Sequence, residues 1–127
     1  MIAANELRIG NYIYWDENQV FKISGITKAG CRFEDDNNQF RTHKRILPIP
    51  LTPEILEKCG MQKLNNSWII DDGSRDEHGA VISGNYTFSL FGYNVSELYY
   101  GKFHVKHLHQ LQNLYFFLTG KELIYKP

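Results

Sequence analysis

Residues 107–123, HLHQLQNLYFFLTGKEL, carry the strongest periodic pattern in the chain and constrain its fold more than any other segment. At about 100° per residue, Leu108, Leu111, Leu114, Tyr115 and Leu118 fall in an arc of about 120°, the width of a stripe that faces a core. The spacing predicts a helix over 108–119, with Gly120 just past its C-terminal end. Before it, YYGKFHVKH alternates Phe103, Val105 and His107 against His104 and Lys106, the period of a strand. The pair reads as a helix packed on a sheet. Phe116 and Phe117 do not fit that stripe; they share a side with His109, Gln110, Gln112 and Asn113. Two outlying Phe require either a second covered side, under the LIYKP tail or the N-terminal lobe, or an exposed surface for a dimer or partner. Phe116, Phe117, Gln112 and His109 form the candidate partner surface.

The first 50 residues have a different rhythm. In LRIGNYIYWDENQVFKISGI, Tyr12 and Tyr14 alternate with Asn11 and Ile13, and Gly10 suits a tight entry or a bulge. Asp16, Glu17 and Asn18 make a turn, after which Val20, Lys22 and Ser24 alternate with Phe21, Ile23 and Gly25. GCRFEDD and NNQFRTHKRILPI add further short strands around a polar turn at 35–38. Short strands at this density predict a curled antiparallel sheet, with a small SH3-like barrel as the natural candidate. Tyr14 and Trp15 beside Arg41, Lys44 and Arg45 offer an alternative function, a nucleic-acid face in which rings stack on bases and cations meet phosphates. The structural alternative is that the tyrosines cover the sheet and RTHKR is a solvated edge, its field partly cancelled by Glu34, Asp35 and Asp36.

LPIPLTPEILEKCG marks the boundary between lobes, placed near residue 50. Pro48 and Pro50 hold the chain extended. Thr52 then suits an N-cap, Pro53 the first helical position, Glu54 the positive end of the dipole, and Gly60 a stop after two turns. Beyond it, KLNNSWIID and AVISGNYTFSLFGY read as strands around the polar loop at 71–79. The expected fold class is α+β: a barrel-like lobe over 1–50, then 51–127 with a short helix, an antiparallel sheet and one C-terminal helix packed on it. The two could also form one compact unit.

Chemistry-bearing patterns are sparse. Fourteen basic residues balance fourteen acidic ones, whereas a chain gripping phosphates usually has a basic excess. The charge is not spread evenly, though: three basic stand against seven acidic residues over 51–98, and four against one over 99–127. Cys31 and Cys59 lie 28 positions apart with no neighbouring Cys, which suits reduced, half-buried thiols in the cytoplasm rather than zinc or redox chemistry. Asp71, Asp72, Asp76 and Glu77 lack the order of a calcium loop, and His104, His107 and His109 straddle a strand and a helix, so convergent rings are not expected. No nucleophile elbow, HExxH, Walker loop or GxGxxG occurs. The start MIAANELRIG has no basic, apolar leader, and no apolar run approaches the roughly 20 residues of a membrane span.

Three motifs, NELRIGNYI, PIPLTPEIL and HQLQNLYFFLTGKEL, stand in this order across nearly the whole chain. Together they resemble an uncharacterised family of small proteins from Bacteroidetes, their prophages and mobile elements. The chain departs from that pattern at Leu108, where Val is common, and at Phe117, where Ala is common. The resemblance implies a phage or mobile-element origin and carries over no activity, cofactor or catalytic residue. The expectation is a non-catalytic, cytoplasmic adaptor or accessory protein, without cofactor or metal, that acts through an unidentified protein partner or self-association.

Overall fold

The structure, a computed structural model, describes residues 6–15, 19–34, 40–42, 46–64, 67–71, 85–91, 94–100 and 102–126. The protein is α+β with antiparallel sheets. It divides into two units: one holds Met1–Pro50 with His107–Glu122, the other Leu51–Lys106 with Leu123–Pro127. The C-terminal helix therefore belongs with the N-terminal strands, not with the 51–106 segment with which the boundary near residue 50 groups it.

The first unit is built on β1 (Tyr12–Trp15), β2 (Gln19–Ile26), β3 (Gly30–Phe33), β4 (Phe40–Thr42) and β5 (Ile46–Leu47), in the order β4-β3-β2-β1-β5. All described pairings are antiparallel. Because side chains alternate along β1, Ile13 and Trp15 turn inward while Tyr12 and Tyr14 stay half-buried. Ile13, Trp15, Ile23, Cys31, Phe33 and Ile46 form its buried core. Within it Phe21 stacks on Phe33 at 4.9 Å, and Trp15 meets the same ring edge-on at 6.1 Å. The register slips between Ile23 and Gly25, so β2 pairs with β1 through its first half and with β3 through its second. The Thr27 hydroxyl closes the following turn, accepting from the amides of Ala29 and Gly30 at 3.3 and 3.2 Å. Among the described residues β4 and β5 do not pair, so the sheet is not closed into a barrel.

The chain leaves this unit at Pro50 and returns at His107. These two residues form an antiparallel bridge, reinforced by the Leu108 amide donating to the Ile49 carbonyl at 2.9 Å. The returning helix, α2, spans Leu108–Thr119, and Gly120 caps it in the left-handed conformation with its amide on the Phe116 carbonyl at 2.8 Å. Gln110 Oε1 accepts from the His107 amide at 3.1 Å, occupying one donor at the N-terminal end.

The second unit begins with α1 (Pro53–Lys58). The Thr52 hydroxyl accepts from the Ile55 amide at 3.2 Å, Pro53 starts the helix, and Gly60 follows it at φ 82°. A meander follows: β6 (Gln62–Leu64), β7 (Ser67–Asp71), β8 (Asn85–Phe91), β9 (Asn94–Tyr100) and β10 (Phe103–Val105), neighbours in sequence and in the sheet. The last segment returns to α1, where the Lys126 amide donates to the Lys58 carbonyl at 3.2 Å. Leu51, Leu56, Trp68, Leu98 and Val105 are among this unit's buried side chains.

Burial ranks the effects of substitution. Ile13→Ala should lower stability by about 2–5 kcal/mol through lost burial and the cavity left behind, whereas Thr52→Ala should lose about 1 kcal/mol of capping. Urea midpoints of the two variants check this; an equal or reversed order would contradict the burial assignment.

Candidate functional site

The polar residues of α2 lie against the segment that opens β1, and both segments come from the conspicuous sequence motifs. Gly10 sits at φ 99°, a conformation in which side chains are strained, and this turn delivers the chain into β1. Its carbonyl accepts from Gln112 Nε2 at 3.0 Å, and Gln112 Oε1 accepts from the Tyr12 amide at 2.8 Å. A single buried amide thus satisfies one backbone acceptor and one backbone donor on either side of Asn11. Asn11 is buried as well. Its Oδ1 accepts from the Arg8 amide at 2.7 Å and its Nδ2 donates to Asn113 Oδ1 at 2.8 Å. Arg8 Nε reaches the same Asn113 oxygen at 3.1 Å, while Asn113 Nδ2 donates to the Glu6 carbonyl at 2.9 Å.

Arg8 ends this network at the surface. Its guanidinium forms a two-point ion pair with Glu122, one contact at 3.1 Å, and lies over the Phe116 ring at 4.3 Å. The pair is half-exposed, so its worth lies in positioning more than in net stability.

The residues expected on a partner surface are consequently separated. Gln112 and His109 are 1% and 2% exposed and lie inside the protein, a correction to their assignment as surface residues. Phe116 is 39% exposed at the margin under Arg8, and Phe117 is 77% exposed. Buried residues span a wider arc of α2 than the apolar stripe alone, because Gln112 and His109 extend it beyond Leu108. The missed signal was Phe116, whose angular position falls between Gln112 and His109 and so prolongs the apolar side across them. Phe117 points from the middle of the remaining face.

Of the residues expected on a nucleic-acid face, Trp15 does not present its ring to solvent: it is 7% exposed and packs in the core against Phe33. Alternation along β1 is the cause: Tyr14 takes the outer position and Trp15 the inner one. Arg41 lies in β4, while Lys44 and Arg45 fall outside the described residues. Nearby, Tyr12, Val20, Phe21, Lys22 and Glu34 line a shallow groove of about 270 Å³. Lys22 stands 3.8 Å from Glu34 and 6.0 Å from the Tyr12 ring, so its charge is answered within the groove. In the second unit, Glu57, Lys58, Cys59, Gly60, Ile124 and Lys126 surround a broader depression of about 510 Å³.

Neither cysteine is poised to react. Burial pushes the Cys31 thiol up to about 11 and that of Cys59 to about 12, which keeps both protonated and poorly nucleophilic at neutral pH. His104 stacks on Tyr99 at 4.4 Å in the second unit; His107 and His109 stack at 5.9 Å in the first. Among the described residues no three of His, Cys, Asp and Glu are grouped so as to hold a metal ion. Of the acidic loop, Asp71 ends β7, and Asp72, Asp76 and Glu77 fall outside the described residues. Among the described residues no helix is long and apolar enough to cross a membrane. No protein-family model, curated protein or solved structure matches the chain.

Among the described residues His109 is the strongly perturbed imidazole, with neither ring nitrogen hydrogen-bonded. Desolvation lowers its pKa to about 4, His107 adds to the shift, and Glu6 opposes it. An unfolded imidazole titrates near 6.5. Above that pH neither state takes the proton; between about 6.5 and 4 the unfolded chain takes it first, so stability falls as pH falls, by roughly 3 kcal/mol across the window. Urea midpoints at pH 7.5 and pH 4.5 should show this loss in the native sequence and a smaller one in His109→Leu. An equal loss in both would contradict a buried, neutral His109.

Proposed function

We propose that the protein is a non-catalytic accessory protein that acts through protein–protein contact, and that the outer face of α2 around Phe117 makes the contact. One observation carries the reading: Phe117 is 77% exposed on a helix whose polar side chains Gln112 and Asn113 are already engaged internally. A large ring held in the open on a rigid, anchored helix has the character of an interface anchor, since few residues supply most of an interface's binding energy and aromatic rings are prominent among them. Phe116, partly open beneath Arg8, extends the apolar surface.

Other features fit this reading. The N-terminal strands belong, on this proposal, to the SH3-like class: a meander with the fifth strand beside the first and a register break in a long second strand supports that placement. Free, protonated thiols at Cys31 and Cys59 support a cytoplasmic setting.

The test is affinity capture from nuclease-treated lysate, with the native sequence beside Phe117→Ser. The native chain should retain a protein that the variant loses by at least about tenfold, corresponding to roughly 1.4 kcal/mol, while thermal stability changes by less than about 0.5 kcal/mol. Equal capture by both would refute the contact surface. Capture abolished by nuclease would instead favour the nucleic-acid module.

A further inference from the structure

The first turn of α2 is built around two imidazoles that both have to be neutral. His109, the second residue of the helix, is 2% exposed, and neither of its ring nitrogens has a hydrogen-bond partner. Its ring lies parallel to that of His107, with 9° between the planes and 5.9 Å between the centroids. His107 is the N-cap, and its side chain meets the Gln110 amide in the capping box, a contact that needs an unprotonated ring nitrogen. We infer that this turn is an acid-sensitive latch: closed at neutral pH, it opens locally in acid while the rest of the helix stays anchored.

Three effects of adding protons act in the same direction. A proton on His109 would bury a cation with no acceptor, which is more unfavourable than leaving a neutral ring unsatisfied. The charge would stand in the first turn of a helix, where the macrodipole is already positive. A proton on His107 as well would set like charges in two stacked rings and turn the capping nitrogen into a donor facing another donor. Among the described residues the ionisable groups bearing on His109 are His107, which opposes its protonation, and Glu6, from the segment before β1, which favours it. Glu6 accepts no hydrogen bond from the ring, so its attraction acts only at a distance.

What opens is bounded by what titrates. The first turn is tied down by the bridge of His107 to Pro50 and by the Leu108 amide on the Ile49 carbonyl, with Leu108 and Ile49 both fully buried. Further along, the side-chain amides of Gln112 and Asn113 hold α2 to Gly10, Asn11 and Tyr12, and amides gain no proton in this range. Acid therefore acts on one end of the helix and leaves the other in place. In the opened turn the His109 ring reaches water and takes its proton near pH 6.5, as in a peptide. Between that pH and about 4, each pH unit lost multiplies the ratio of open to closed turn about tenfold. Opening uncovers Leu108 and Ile49, an apolar surface that is absent at neutral pH.

The test follows the backbone chemical shifts of the full chain by NMR from pH 7.5 to pH 4.5. In the native sequence the helical Cα shifts of residues 108–111 should be lost along one protonation curve, with its midpoint between about pH 4 and 6.5. Those of residues 114–118, and the strand shifts of Ile13 and Ile23, should stay at their neutral-pH values. In His109→Leu and in the polar His109→Gln, neither of which can titrate at this position, the first turn should stay helical to pH 4.5. A native first turn still helical at pH 4.5 would overturn the latch. So would native signals lost throughout the unit in one step, which is global unfolding, or an opening that persists in both His109 variants.

Discussion

The first unit depends on a closed set of hydrogen bonds between the Arg8–Tyr12 segment and Gln112–Asn113. Those two stretches lie about 100 positions apart in the chain, and bringing them together loses conformational entropy that only specific contacts can offset. The entry to β1 is turned at Gly10 in the left-handed region; the Gly10 amide and the Asn11 carbonyl pair with Ile23 of β2, while the Gly10 carbonyl and the Tyr12 amide take their partner from α2. The Gln112 amide satisfies both of the latter and the Asn11–Asn113 pair fixes the rest of the segment. Each such bond is worth only about 1 kcal/mol net, but a buried group left without one loses more. The set therefore specifies where α2 sits more than it adds to overall stability.

From that constraint follows the division of α2 into working sides. Its apolar stripe and its amides are both turned inward, and Arg8 covers part of Phe116. What remains outward is narrow and without charge, with Phe117 in its middle. The same side chains cannot serve an internal hydrogen-bond network and an external partner at once, so Gln112 passes from the list of contact residues to the list of positioning residues. The functional reading thereby contracts from four residues to the two phenylalanines.

Much of the fold is legible in the sequence. The bounds of α2 with Gly120 behind it, the Thr52–Pro53 start of α1 and the short antiparallel strands all follow from local signals: periodicity, caps and turn residues. The assignment of α2 to the first unit does not, because it rests on contacts between residues far apart in sequence, which local patterns do not encode. Trp15 shows the other difficulty. Aromatic residues next to basic ones look alike whether they face solvent or core, and only the parity set by Ile13 decides it. For Gln112 the same ambiguity arises on a helix: a buried amide and a surface amide occupy similar positions in a periodic plot until their hydrogen-bond partners are known.

The most direct test of the central claim is a double-mutant cycle between Asn11 and Asn113, whose side chains meet at 2.8 Å. Urea unfolding of Asn11→Ala, Asn113→Ala and the double variant gives the coupling free energy. If the two segments are locked to each other, the double variant should be less destabilised than the sum of the singles by about 1 kcal/mol or more. Losses that add within about 0.3 kcal/mol would contradict the lock and, with it, the placement of α2 on the N-terminal strands.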